Sequence, residues 1–397
     1  MSILVVNAGS STLKFSLYDS AVEQRLAMGA IDWGGGKDQA DFSIEHSGEV
    51  AAEHAKIAVK DHGEAAVHLV RTILDSPRLG GHIPAIGNRV VHGGEAFSGS
   101  MAIDAEVIAQ IRRLCSIAPL HNPPALAVIE ATRQAMPDLP QVAVFDTAFF
   151  AGLPEEAYIY PVPYEWYEKW RVRRFGFHGT SHAHSTGRAA EMLDRHDPEF
   201  RVVTCHLGSG CSASAARGGK AVATTMGLTP LEGLMMSTRP GSIDPGILIY
   251  ALREGGLSPD ELDRALNRQS GLLGLSGVSS DYRAVEAAAA AGNRRAQLAL
   301  TIFARRIRET IAQLAADLEG LDAVVFTAGI GQNSVALRSR VCQGLGFLGL
   351  ELDEDKNRAA VPDVDISAGG TRVRVLVISC RENYRIARET RRVVNGG

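Results

Sequence analysis

The stretch ILVVNAGSSTLKFSLY, residues 3–18, returns in altered form as VVTCHLGSGCSASAAR, residues 202–217. Each copy reads as an apolar run, a Gly- and Ser-containing turn, and a second run in which apolar and polar residues alternate. That is the pattern of two strands joined by a short connection. The turns begin at Asn7 and His206, so one copy opens each half of a 397-residue chain. The repeat predicts two copies of one α/β unit facing each other across a cleft. Residues 85–91, 141–145, 323–326 and 373–378 read as further buried strands. Helical patterns occupy residues 63–74, 123–133, 181–195, 259–267 and 293–318. Gly34-Gly35-Gly36 reads as a mobile surface loop, and no low-complexity linker separates the halves.

Bulk properties narrow the function without naming it. Apolar residues make up 45% and charged residues 22% of the chain, as in ordinary globular proteins. A net charge of −4 gives no general attraction to nucleic acid or to an anionic membrane, so an anionic ligand must be held by local cations. The five cysteines are odd in number and lack CxxC spacing, which fits small buried residues in a reducing compartment. The N-terminus has no basic leader pattern and no stretch approaches membrane-spanning length, so the cytoplasm is expected.

Three Gly-containing turns follow apolar strands: Asn7-Ala8-Gly9-Ser10-Ser11, His206-Leu207-Gly208-Ser209-Gly210 and Gly329-Ile330-Gly331-Gln332-Asn333. Glycine lets backbone N–H groups approach a phosphate, and Ser adds donors. One such turn is an ordinary hairpin. Three, two of them related by the repeat, favour a nucleotide cleft, although none matches a Walker-A or dinucleotide fingerprint. Asp146 and Glu382 end or follow strands, where carboxylates suit hydrated Mg²⁺ over a phosphate; each alone would read as a cap or turn residue. Basic and imidazole groups cluster at residues 89–94, 119–124, 173–182 and 238–241. His178 and His182 have i,i+4 spacing, but the absence of an HExxH glutamate disfavours zinc.

These residues, together with IGNRVVHGGE (86–95), APLHNPP (118–124), VFDTAF (144–149), RRFGFHGTSH (173–182), GVSSDYR (277–283), FTAGIGQNS (326–334) and ENYRIARET (382–390), resemble the acetate kinase family, in order, over the whole chain. The family sits in the acetate-and-sugar-kinase/actin/heat-shock ATPase superfamily. The resemblance implies two duplicated actin-like, ribonuclease H-like α/β domains facing a nucleotide cleft. Residues 1–150 plus 384–397 would form an N-terminal domain with the C-terminal helix. Residues 151–383 would form a second domain carrying most of the nucleotide site.

The resemblance also implies roles. Asp146, Arg89, Arg239 and His178 would be catalytic, with His178 and Arg239 stabilising the transferring phosphoryl and His121 and His206 close by. Asn7, Glu382 and Asp146 would lie around Mg²⁺, with Mn²⁺ as a substitute. Arg89 would meet the carboxylate, and Val91, Leu120, Phe177 and Pro230 the methyl group. ATP or ADP would be held by Lys14, His206, Gly208, Ser209, Gly210, Asp281, Tyr282, Arg283, Gly329, Ile330, Gly331, Gln332 and Asn333. The partners implied are acetate and ATP, or acetyl phosphate and ADP, in a homodimer, with no nucleic acid or membrane. The chain differs from the usual family pattern at Asn88, Phe150, Ser209, Gln332, Ser242 and Cys380-Arg381.

A carboxylate is already ionised at pH 7, so the implied reaction needs no general base. Charge is the obstacle: two unit anions at about 4 Å repel by roughly 4 kcal/mol at an effective dielectric near 20. Propionate or butyrate kinase is the alternative within the family. A chaperone- or actin-like ATPase would want a further domain, for which the short tail after Glu382 is expected to leave no room. A sugar kinase would want an Asp base and a DxGGT-like first loop, which Asn7-Ala8-Gly9-Ser10 fits poorly.

Overall fold

The computed structural model describes residues 2–9, 11–19, 21–34, 39–49, 52–76 and 85–396. Ser10 of the first turn and Gly35-Gly36 of the glycine run lie outside the described residues. The chain divides into two compact units, Met1–Ala151 with Arg381–Gly397, and Gly152–Cys380.

The first unit is built on β1 (Ser2–Ala8), β2 (Thr12–Asp19), β3 (Arg25–Asp32), β4 (Ala40–His46), β5 (Glu53–Ile57), β6 (Ala85–Val90), β7 (Met101–Ala102) and β8 (Gln141–Phe145). They form one sheet in the order β5-β4-β3-β2-β1-β6-β8-β7. β1 to β5 form an antiparallel meander, while β6 runs parallel to β1 and β8 parallel to β6. Side chains alternate across β1. Leu4 and Val6 join one core with Phe15, Ile86, Ala65 and Leu69, where the helix His62–Leu74 packs. Ile3 and Val5 join a second core with Val142, Val144, Ile386 and Ala387, supplied by the helix Glu382–Val394. A sheet covered on both faces needs strands that are apolar through their middles, and residues 3–6 of β1 and 142–145 of β8 are.

The second unit carries β9 (Arg201–Leu207), β10 (Cys211–Arg217), β11 (Lys220–Thr224), β12 (Ala323–Thr327), β13 (Val364–Asp365) and β14 (Arg374–Val377). Their order is β11-β10-β9-β12-β14-β13. β9 to β11 are antiparallel, and β12 and β14 run parallel to β9. Five consecutive strands of this sheet thus repeat the order and directions of β3-β2-β1-β6-β8. This is the duplication that the strand–turn–strand repeat announced. The helix Gly179–Leu193 packs on β9 and β12, and the long helix Arg294–Asp317 on β9 to β11.

Local chemistry sets several boundaries. Asp61 caps its helix by accepting from Glu64 N at 2.9 Å, and Pro123-Pro124 open the helix Asn122–Ala135, where a missing N–H costs nothing. The third glycine turn differs from expectation. Residues Ala328–Asn333 form a short helix entered through Ala328 at φ 63°. Its terminal carbonyls are met by the buried Arg338, which donates to Gly331 O at 2.9 Å and Gln332 O at 2.7 Å. A cation at a helix C-terminus satisfies orphan carbonyls and the dipole together. Among the described residues no helix is long and apolar enough to cross a membrane, and all five cysteines are free thiols.

Candidate active site

In the first unit, the carboxyl ends of three adjacent strands bring Asn7, Arg89 and Asp146 together. Asn7 lies in β1, Arg89 in β6, and Asp146 just past β8. Arg89 donates through Nε to Asp146 Oδ1 at 3.0 Å and through Nη2 to Oδ2 at 2.5 Å, and Nη1 donates to Asn7 Oδ1 at 3.2 Å. The Asp146 side chain is wholly buried, and Arg89 is 17% exposed. A planar fork meeting a carboxylate on two parallel bonds is the strong form of this pair. Arg89 is therefore tied to the strand-end carboxylate itself.

Glu382 opens the helix that returns to this unit, and its Oε1 is buried without a hydrogen-bond partner among the described residues. An unsatisfied carboxylate oxygen out of water is costly unless a cation meets it. The amide oxygen of Asn7 and the carboxylates of Asp146 and Glu382 are each hard oxygen donors, the chemistry that suits Mg²⁺. Both Asp146 oxygens already accept from Arg89, so their remaining lone pairs or a bridging water would serve the ion.

The neighbouring segment is held by side chain–backbone bonds. His92 N donates to Asn122 Oδ1 at 3.1 Å, and Asn122 Nδ2 donates back to His92 O at 3.0 Å. Val91 and Leu120 are half-buried, and His121 stands at the N-cap of the helix Asn122–Ala135. Asn88, where the family usually has His, is buried and donates to Gln141 Oε1 at 3.1 Å. Lys14 is exposed on β2, in register with Asn7.

In the second unit, β9 and β10 present a buried polar row. His206 stacks on His178 with ring centroids 4.1 Å apart, and its Nδ1 lies 2.8 Å from Ser181 Oγ. His178 Nδ1 lies 2.8 Å from Ser212 Oγ, which also lies 2.7 Å from His182 Nε2. His178 enters its helix at φ 56°, a left-handed conformation that a His adopts at a cost of about 1–3 kcal/mol. Burial, with His206 nearby, pushes His182 well below the ordinary histidine range and keeps it neutral. Arg239 donates through Nη1 to Pro230 O at 2.6 Å, and no carboxylate pairs with it among the described residues. Burial lowers its pKa, yet a guanidinium stays charged at any physiological pH. A Cβ on Gly210 would stand 2.8 Å from Arg239 Nη2 and 3.2 Å from His178 Nε2, so only glycine lets both groups close on this turn. Phe177 is fully buried, and Pro230 is half-buried.

A cavity of ≈ 730 Å³ opens beside this row, lined by Gly208, Ser209, Ser237, Thr238, Arg239, Ser280, Asp281, Tyr282, Arg283, Glu286, Gly329, Ile330, Asn333 and Ser334. Its size and its mixture of backbone, hydroxyl and charged groups suit a nucleotide. Asp281 caps the helix Tyr282–Ala290 and pairs with Arg283 at 2.9 Å; that hydrogen bond holds its carboxyl below the usual range. Of the residues expected to hold the nucleotide, His206, Gly210, Gly331, Gln332 and Lys14 do not line this cavity. Gln332 instead presents its amide oxygen to Ala328 N at 3.0 Å and Cys380 N at 2.8 Å. Sequence reading gave no site role to Ser237, Thr238, Ser280, Glu286 and Ser334 in the cavity, or to Thr204 and Ser212 beside the histidines. The last two carried a signal: polar residues at alternate positions of otherwise buried strands.

The duplicated five-strand order, with polar and basic groups at the ends of its parallel strands, defines a two-domain actin-like α/β fold of the kinase superfamily. The chain belongs to the acetokinase family, whose sequence profile matches residues 2–388. It is 46% identical to the acetate kinase of Treponema denticola over 99% of this chain and 100% of that one. It is also 46% identical to the acetate kinase of Methanosarcina acetivorans, over 99% and 97%. The crystal structure of Porphyromonas gingivalis acetate kinase superposes with a TM-score of 0.92 at 38% identity, covering 99% of each chain. A propionate kinase from Francisella tularensis reaches 0.91 at 37%, also over 99% of each.

Proposed function

We propose that the protein catalyses ATP + acetate ⇌ ADP + acetyl phosphate. The observation that carries this reading is Arg239, a largely buried guanidinium with no carboxylate partner among the described residues, set beside His178 and the nucleotide-sized cavity. A buried unpaired cation is a receptor for an anion, and here the anion is the γ-phosphoryl in transfer. The acetate oxygen attacks phosphorus in line; the new O–P bond forms as the bond to the ADP oxygen breaks, and no proton moves. Arg239 and His178 meet the charge on the equatorial oxygens, while Arg89 orders Asp146 and Asn7 and offers its edge to the acetate.

Asn7, Asp146 and Glu382 would hold Mg²⁺, or Mn²⁺ in its place, and the bound ion would supply neutralisation of phosphate charge. Gly208, Ser209, Asp281, Tyr282, Arg283, Gly329, Ile330 and Asn333 contact ATP or ADP. Val91, Leu120, Phe177 and Pro230 meet the methyl group. The protein works in the cytoplasm as a homodimer; the helix Pro245–Arg253, which exposes Ile247, Ile249 and Tyr250, suits such an association.

The second reading, a propionate kinase, draws on the Francisella tularensis relative. Hydroxylamine trapping, run with acetate and with propionate, tests both readings, because it yields an acyl hydroxamate only when the carboxylate supplied is phosphorylated. One methylene in an apolar pocket is worth about 10- to 200-fold in kcat/KM. Acetate should lead propionate by a factor in that range. Absence of any hydroxamate would refute carboxylate phosphorylation, and a propionate lead would transfer the assignment to the second reading.

A further inference from the structure

The buried side chains behind His178 form a line: Thr204 Oγ1 lies 2.6 Å from His182 Nδ1, His182 Nε2 lies 2.7 Å from Ser212 Oγ, and Ser212 Oγ lies 2.8 Å from His178 Nδ1. Thr204, His182 and Ser212 are each fully buried. We infer that Thr204 sets the direction of this line and thereby fixes His178 as the tautomer with its proton on Nε2, the nitrogen that faces Gly210 and Arg239. Ser212, His182 and Thr204 are then positioning residues for the transferring phosphoryl. The inference rests on the reading of His178 as a phosphoryl donor.

The direction follows from proton counting. His182 is neutral, because burial opposes its charged form, so it carries one proton on one of its two nitrogens. Ser212 has one proton and two imidazole neighbours; keeping that buried proton hydrogen-bonded means donating it to one ring and accepting from the other. With it satisfied, the line runs in one of two ways. In the first, Thr204 donates to His182 Nδ1, His182 Nε2–H donates to Ser212, and Ser212 donates to His178 Nδ1. In the reverse, His182 Nδ1–H donates to Thr204, and the Thr204 proton is left without an acceptor. Thr204 Oγ1 has no other hydrogen-bond partner among the described residues. A stranded buried donor weights the first arrangement by roughly 5- to 150-fold.

The consequence lies at the other end. With Nδ1 accepting from Ser212, the single proton of neutral His178 sits on Nε2. That atom lies 3.2 Å from where a Gly210 Cβ would stand, a point only 2.8 Å from Arg239 Nη2. An N–H there faces the same anion as Arg239. In the reverse arrangement a lone pair would face it and repel it.

The test is ¹⁵N-histidine NMR on the full chain at pH 7.5, with the His178 signals assigned by their loss in His178→Gln. The expected spectrum shows Nε2 protonated and Nδ1 bare in the wild type. Thr204→Ser, which keeps the hydroxyl, should leave this pattern and kcat intact. Thr204→Val, of the same shape without the donor, and Ser212→Ala should give mixed tautomers. Their kcat should fall by about 5-fold or more, short of the roughly 10⁴-fold that a wrong tautomer costs a catalytic histidine, with KM for ATP and acetate unchanged. Protonated Nδ1 in the wild type would overturn the inference, and so would full kcat in a variant whose tautomers are mixed. The wild-type spectrum needs no variant to fold. A wild type that forms no acetohydroxamate would refute the acetate kinase reading and leave the tautomer assignment standing.

Discussion

Arg89 points its guanidinium at a carboxylate that is wholly out of solvent, and among the described residues Arg239 points its own at none. Removing them should separate the two. Arg239→Ala takes away a buried cation that the resting fold does not need, so thermal stability should hold while kcat falls by roughly 10³-fold or more, as for other arginines that meet a transferring phosphoryl. Arg89→Ala takes the bidentate cation away from the buried Asp146 carboxylate and should cost about 3–5 kcal/mol by chemical denaturation. Asp146→Asn added to Arg89→Ala should recover part of that loss, since it removes the buried charge. Equal stability of the two single variants would refute the difference in surroundings. Sequence could name both arginines but not this contrast, because Asp146 stands 57 positions from Arg89 and only the adjacency of β6 and β8 brings them together.

At the scale of elements, the turn between β9 and β10 is the most constrained piece of the site. Gly210→Ala places a methyl group against Arg239 Nη2 and the His178 ring. Arg239 is a flexible side chain and can retreat, so the variant should fold, with kcat lowered by about 10²-fold for a displacement near 1 Å. Gly208→Ala meets nothing closer than 3.5 Å and should keep kcat nearer the wild type. Steady-state kinetics of both variants checks the contrast. The strand pairs and turns that open each half of the chain were legible because alternation and Gly-Ser chemistry act locally. Strands β3 and β5 were not, since Gly29 interrupts β3 and β5 is largely exposed, which blurs the period-2 pattern; β4, whose ADFSIEH alternates cleanly, carried a signal that went unread. The segment Ala328–Asn333 read as a turn, and it forms a short helix whose last carbonyls accept from the buried Arg338, a residue the local pattern does not reveal.

For the whole molecule, the nucleotide-sized cavity is lined by residues of the second unit alone. ADP at about a hundred times its Kd should stabilise the state that binds it by about 2.7 kcal/mol. Amide-exchange protection should therefore rise around residues 206–210, 237–239, 280–286 and 329–334. Protection confined to the first unit would place the nucleotide elsewhere. The first unit has a different peculiarity: its chain leaves at Ala151 and returns at Arg381. Ile386 and Ala387, which cover Ile3, Val5, Val142 and Val144, are made after all of the second unit. At the usual rate of roughly 5–20 residues per second, the ribosome needs on the order of ten to fifty seconds to cross that interval. Throughout it one face of the nascent first sheet stays bare, so the second unit to begin synthesis is the first able to finish folding, and the first must be shielded until the closing helix emerges.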